Sequence, residues 1–72
     1  MIFFPNPATD KLYLKNRNYA KSIVLIYDLE GNQVLSKRMD SYPIDISNLE
    51  KDIYVVKLVD SGNVMISKFI KE

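Results

Sequence analysis

Cysteine and histidine are both absent from these 72 residues, and each absence removes a class of chemistry. Without Cys there is no disulfide staple and no thiolate metal ligand. Without His the commonest general acid/base and the commonest zinc ligand are missing. Glycine is nearly as scarce: Gly31 and Gly62 stand far apart in turn-like stretches, so no glycine-rich loop can cradle a phosphate. No apolar run approaches the ~18 residues that span a bilayer, and Met1-Ile2-Phe3-Phe4 is too short for the apolar part of a signal peptide. Direct membrane insertion is therefore not expected. Ten basic and nine acidic residues leave a formal charge of +1, too small for a long-range field that would gather a polyanion, so nucleic acid is not an expected partner. Lys11, Lys15, Arg17 and Lys21 form a locally basic stretch that reads either as an ordinary solvated face or as a patch for an anionic partner. Carboxylates stand singly in loops; Asp45 and Asp52 lie nearest to strand ends and have no evident partner. No catalytic residue, metal ligand or cofactor is expected, and the chain does not read as an enzyme.

What the chain does have is apolar residues, 47% of the total, cut into short runs by Asn, Asp, Ser, Gly and Pro. Seventy-two residues make one domain, and a chain of this size buries only about 60% of its unfolded surface. Ordering each residue costs roughly 1.5 kcal/mol, so nearly every apolar run has to enter one core. The clearest local statement is Ile26-Tyr27-Asp28-Leu29-Glu30-Gly31-Asn32-Gln33-Val34. It reads as strand, three-residue loop and return strand, with Gly31 where the loop needs positive φ. In the strand from Ser22 to Tyr27, Val24 and Ile26 are expected inward, with Leu29 tucked back from the turn. Ile23, Leu25 and Tyr27 then form a half-exposed apolar row, covered either by a partner or by another part of the same domain. Val34 is expected inward on the return strand from Gln33 to Arg38, and Asp40-Ser41 marks the next turn.

The remaining runs follow the same grammar. Ile2-Phe3-Phe4 reads as a short strand ended by Pro5-Asn6-Pro7-Ala8, a rigid corner that is either structural or part of a recognised junction with preceding chain. Lys11-Leu12-Tyr13-Leu14-Lys15 alternates, with Leu12 and Leu14 inward, and Asn16-Arg17-Asn18-Tyr19 follows as a loop. Tyr42-Pro43-Ile44-Asp45-Ile46 points Ile44 and Ile46 inward, and Pro43, which has no N–H, places it at an edge. The loop from Ser47 to Asp52, carrying Leu49, leads into Tyr54-Val56-Leu58 as an inward row. This resembles the tyrosine corner of Greek-key sandwiches, in which a buried Tyr hydroxyl bonds back to nearby backbone. Asp60-Ser61-Gly62-Asn63 is a turn, and its two oxygen side chains are weak evidence for calcium. In the last strand Val64, Ile66 and Ile70 oppose Met65 and Phe69, and both faces are equally apolar.

In this order, Pro5-Asn6-Pro7-Ala8 with Leu12 and Leu14, Val24 with Ile26-Tyr27-Asp28-Leu29, Gly31 and Val34, Ile44-Asp45-Ile46-Ser47 with Leu49, Tyr54-Val56-Leu58 and the ending Lys68-Phe69-Ile70-Lys71 resemble one family. It is the C-terminal sorting domain, type A, of the type IX (Por) secretion system of Bacteroidota. One departure is visible: Asp52 stands where the family usually carries Gly, and Asp tolerates a left-handed conformation better than most residues. The resemblance implies an immunoglobulin-like β-sandwich of about seven antiparallel strands, Greek-key-like in connection. It implies that residues 1–72 are a single sorting domain from a longer exported protein, continuous with an N-terminal cargo. That protein would pass through the periplasm, cross the outer membrane by the type IX translocon and its shuttle proteins, and meet a sortase-like surface protease. Cleavage would leave the cargo secreted or at the cell surface. The residues expected to be read are Lys68, Phe69, Ile70 and Lys71, with Ile23, Leu25 and Tyr27; Pro5, Asn6, Pro7, Gly31, Leu49 and Tyr54 are structural. The alternative is an immunoglobulin-like spacer or carbohydrate-adhesion module, for which Tyr13, Tyr19, Tyr27 and Tyr42 are the available rings.

Overall fold

The computed structural model describes residues 3–14, 22–38 and 43–72, and every regular element among them is a strand. In chain order these are β1 (Phe3–Phe4), β2 (Lys11–Leu14), β3 (Ile23–Tyr27), β4 (Gln33–Arg38), β5 (Ile44–Asp45), β6 (Asp52–Asp60) and β7 (Asn63–Lys71). They form two antiparallel sheets, one ordered β1-β2-β5 and the other β4-β3-β6-β7. The expected loop from Asn16 to Tyr19, the turn at Asp40-Ser41, and Lys15, Lys21 and Tyr42 lie outside the described residues.

Alternation along the strands decides what the sheets enclose, because successive side chains leave a strand on opposite faces. Phe3, Leu12, Leu14 and Ile44 from the smaller sheet meet Val24, Ile26, Tyr54, Val56, Leu58 and Phe69 from the larger, with Ala8 and Ile46 completing one buried cluster. Leu35, Leu49 and Met65 pack on its margin. The inward rows expected for β2, β3, β5 and β6 are all found. In β7, where both faces are apolar, pairing settles the choice: Tyr54, Val56 and Leu58 stand opposite Phe69, Ser67 and Met65, so those three share the inner face. Val64, Ile66 and Ile70 are left exposed.

Two expectations at the first hairpin fail for a common reason. Leu29 is 59% exposed and Val34 40% exposed, whereas both were expected inward. The loop itself is as expected: Gly31 N–H donates to the Asp28 carbonyl at 3.1 Å, Asp28 N–H donates to the Asn32 carbonyl at 2.9 Å, and Gly31 takes φ +91°. Immediately beyond it the register shifts, since Tyr27 faces Gln33 while Ile26 faces Leu35. Val34 is thus the extra residue of a β-bulge, and a one-residue offset transfers the inward position from Val34 to Leu35. Leu29 sits at the loop tip, ahead of any strand that could turn it inward.

The second hairpin closes with two residues, Ser61 (φ +46°) and Gly62 (φ +85°), between the paired Asp60 and Asn63. Two consecutive positive φ values match the right-handed twist of the flanking strands. Asp52 does not take a positive φ; it begins β6 in extended conformation, and its carboxylate accepts the Ile53 N–H at 2.8 Å. The left-handed geometry expected for Asp52 is therefore not needed here.

Candidate recognition surface

The side of the larger sheet that faces away from the core is a lattice of rows fixed by strand register. Arg38, Ile23, Val59 and Val64 form one row; Ser36, Leu25, Lys57 and Ile66 the next; Gln33, Tyr27, Val55 and Lys68 the third; Ile53 and Ile70 close it. Ile23, Ile53, Val64, Ile66 and Ile70 are exposed, while Leu25, Tyr27, Val55 and Val59 are half-buried by their own neighbours. The row Ile23, Leu25, Tyr27 inferred from sequence is thus one column of a wider apolar face. Ile66 and Val55 belong to it as well: alternation with Tyr54 and Val56 turns Val55 outward, as expected from the sequence, whereas Ile66 is assigned by its pairing with Lys57.

Near the first hairpin this face dips into an open groove of about 330 Å³ lined by Tyr27, Asp28, Leu29, Gly31, Val55, Lys57 and Ile66. Lys57 lies over the Tyr27 ring with its ammonium 5.8 Å from the ring centre, within cation–π range. Asp28 at the rim is already engaged by its own turn: its Oδ1 accepts the Glu30 and Asn32 N–H groups at 3.0 and 2.9 Å, and its Oδ2 accepts the Asn32 amide at 3.1 Å. Those donors, the Asn32 backbone foremost, hold its carboxyl below the usual range. The groove therefore presents apolar side chains and one cation.

The four residues of the C-terminal run separate into two pairs. Lys68 and Ile70 are exposed on the outer face. Phe69 is buried, its ring stacked on Tyr54 at 5.5 Å between centroids, and Lys71 is buried with its ammonium 3.0 Å from the Glu72 carbonyl. Alternation turns Phe69 and Lys71 toward the core, so of the four residues expected to be read it is Lys68 and Ile70 whose side chains are exposed.

Tyr54 and Leu49 both pack on the core. Tyr54 Oη donates to the Glu50 carbonyl at 2.7 Å, which is the tyrosine-corner bond. Burial is the main cause that raises the Tyr54 pKa, followed by the carboxylates of Asp52, Glu50 and Asp28. Leu49 N–H donates to the Ile46 carbonyl at 3.0 Å and packs its side chain on the core margin. Asp45 is not without partners, as its sequence setting suggested: Ser47 donates to its Oδ1 from the hydroxyl at 2.7 Å and the backbone at 2.9 Å, and Lys11 lies 3.5 Å away across the β2–β5 pair. These contacts, Ser47 first, lower its pKa to about 2. The Lys11 charge is thereby matched locally, and the other members of the basic stretch lie outside the described residues. Of the four rings considered for carbohydrate, Tyr13 is on β2 in the smaller sheet and Tyr27 on the outer face of the larger, so these two do not form one platform. Among the described residues no group of three acidic side chains could hold a metal ion.

A family model described as "Secretion system C-terminal sorting domain" matches residues 2–72. Among curated proteins the chain is similar to "Beta-agarase D" of Zobellia galactanivorans, 36% identical over 55 residues. That alignment takes in 76% of this chain and 11% of the agarase, so the chain spans about a tenth of the relative it matches.

Proposed function

This chain belongs to the secretion system C-terminal sorting domains, and from that premise we propose that its outer sheet face, together with Lys68 and Ile70 beside it, is the surface by which the type IX machinery reads it. The domain is a type IX sorting signal; a domain of this kind is not itself catalytic, and its presence implies an N-terminal cargo and export across the outer membrane. The single observation that carries the assignment is the family match along essentially the whole chain.

Residues 1–72 act as one address unit attached to a larger cargo, read in the periplasm by the translocon and its shuttle proteins and removed by a sortase-like surface protease. The two sheets adopt an immunoglobulin-like Greek-key sandwich. The Tyr54–Glu50 corner and the single core drawn from both sheets support that architecture. The exposed Ile23, Ile53, Val64, Ile66 and Ile70 on one sheet face support a role as ligand, since contiguous exposed apolar side chains on a small domain suit an interaction site.

The test is a reporter fusion expressed in a host with the type IX system, comparing the native domain with Leu25→Asp. Leu25 is half-buried on the outer face and outside the core cluster. The native fusion is expected in the medium, and Leu25→Asp is expected to reduce export at least tenfold, a larger loss than a stability cost of about 1–2 kcal/mol, the scale of a partly buried Leu, accounts for. Parallel losses in melting temperature and export would instead assign Leu25 to stability alone.

A further inference from the structure

Three hydrogen bonds tie the beginning of the chain to its end. Ile70 N–H donates to Asn6 Oδ1 at 2.8 Å, Ala8 N–H donates to the Ile70 carbonyl at 2.7 Å, and Glu72 N–H donates to the Ala8 carbonyl at 2.7 Å. Ala8 thereby forms a parallel bridge with Lys71. The location follows from topology. β7 is the outermost strand of its sheet, so the main-chain groups of alternate residues point away from β6 toward the open edge. Ile70 and Glu72 are of that set, and the N-terminal segment covers them.

The residue types suit this task. Pro7 has no N–H and cannot donate to a neighbouring strand, so Ala8 is the first residue of the corner after Asn6 with a donor to offer. Asn6 supplies with its side chain the acceptor that a strand residue would supply with its backbone. An unpaired amide at Ile70, flanked by the buried Phe69 and Lys71, would loosen the strand end where the two inward side chains enter the core.

We propose that Asn6 is a positioning residue for the sorting signal: the Asn6-Pro7-Ala8 segment is a latch that holds Ile70–Glu72 in the sheet, and the machinery reads the latched end. The latch itself stands on the hydrogen bonds above, whereas its bearing on export rests on the function proposed in the preceding subsection. The experiment measures amide hydrogen exchange in the purified 72-residue chain and export of the reporter fusion for Asn6→Ala and Asn6→Asp. Asn6→Ala removes the acceptor and is expected to speed exchange at Ile70 by about fivefold, the effect of one neutral hydrogen bond, with Val56 in the core unchanged. Export of that fusion is expected to fall together with protection at Ile70. Asn6→Asp retains an oxygen at the same reach and is expected to keep both near the native level. Unchanged exchange at Ile70, or equal acceleration at Val56, would overturn the latch. Faster exchange at Ile70 with full export would overturn the positioning role and leave Asn6 a stabilising contact. Failure of the native fusion to leave the cell would overturn the sorting reading, and with it the role given to Asn6, while the exchange result would stand independently.

Discussion

Replacing Tyr54 by Phe removes one oxygen and leaves the ring where it is, which isolates the contribution of the corner. The hydroxyl donates to the Glu50 carbonyl at 2.7 Å, a neutral hydrogen bond with a net value of about 1 kcal/mol. Glu50 is exposed, so water can satisfy its carbonyl in the variant and no stranded acceptor adds to the cost. For a domain of this size about 1 kcal/mol lowers the melting temperature by roughly 4–8 °C. Tyr54→Leu also abolishes the stacking on Phe69 at 5.5 Å, adding about 0.5–1.5 kcal/mol beyond lost burial. Thermal unfolding followed by circular dichroism should therefore rank native, Phe and Leu in that order with resolvable gaps. The pH dependence supplies an internal check. Burial raises the Tyr54 pKa, so its contribution is fully present below about pH 10, the ordinary tyrosine value, and is lost as pH climbs through the raised value. The advantage of native over Tyr54→Phe should shrink in that alkaline range. If the Phe variant melts with the native protein at neutral pH, or as low as the Leu variant, the corner does not act as argued.

At the bulge, Leu35→Ala should cost about 1–2 kcal/mol, the scale of a partly buried Leu, while Val34→Ala stays within about 0.5 kcal/mol as an exposed site; urea denaturation that reversed this order would place Val34 inward. Asp45, held at about 2 by Ser47 and Lys11, contributes stability that is present above the unfolded carboxylate pKa and lost as pH falls from about 4 toward 2. Asp45→Asn should flatten that part of the acid-unfolding curve, and an unaltered acid limb would exclude the contribution.

Sequence made legible whatever is encoded within a few residues. Alternation placed Leu12, Leu14, Val24, Ile26, Ile44, Ile46, Tyr54, Val56 and Leu58 in the core, because burial on one face imposes period two. Gly31 and Gly62 marked both hairpins because positive φ has few occupants. Val34 was illegible because the bulge depends on how two strands twist against each other, and Val34-Leu35 offers adjacent apolar residues of similar fitness for the inward place. The last strand was undecidable alone, since Ile66 and Met65 are equally apolar, and only register with Tyr54 and Leu58 assigns Phe69 and Met65 inward. Asp45 looked isolated although Ser47, two residues on, is a local partner; only Lys11, a neighbour across strands, lay beyond local pattern. Asn6 and Ile70 are 64 residues apart, and no local pattern announces that a side chain in a proline-flanked corner will cap the final strand.

The parallel run of Ala8 beside Lys71 has a mechanical consequence. A holder that grips the C-terminal end while a load drags on preceding chain pulls these two neighbours in opposite directions along their common axis. That loading is shear, in which the three bonds joining Asn6 and Ala8 to Ile70 and Glu72 resist together and must break together. An antiparallel neighbour pulled in the same way would peel open one bond at a time. The junction is therefore loaded in shear, and not peeled, along the line on which a tethered passenger would tug.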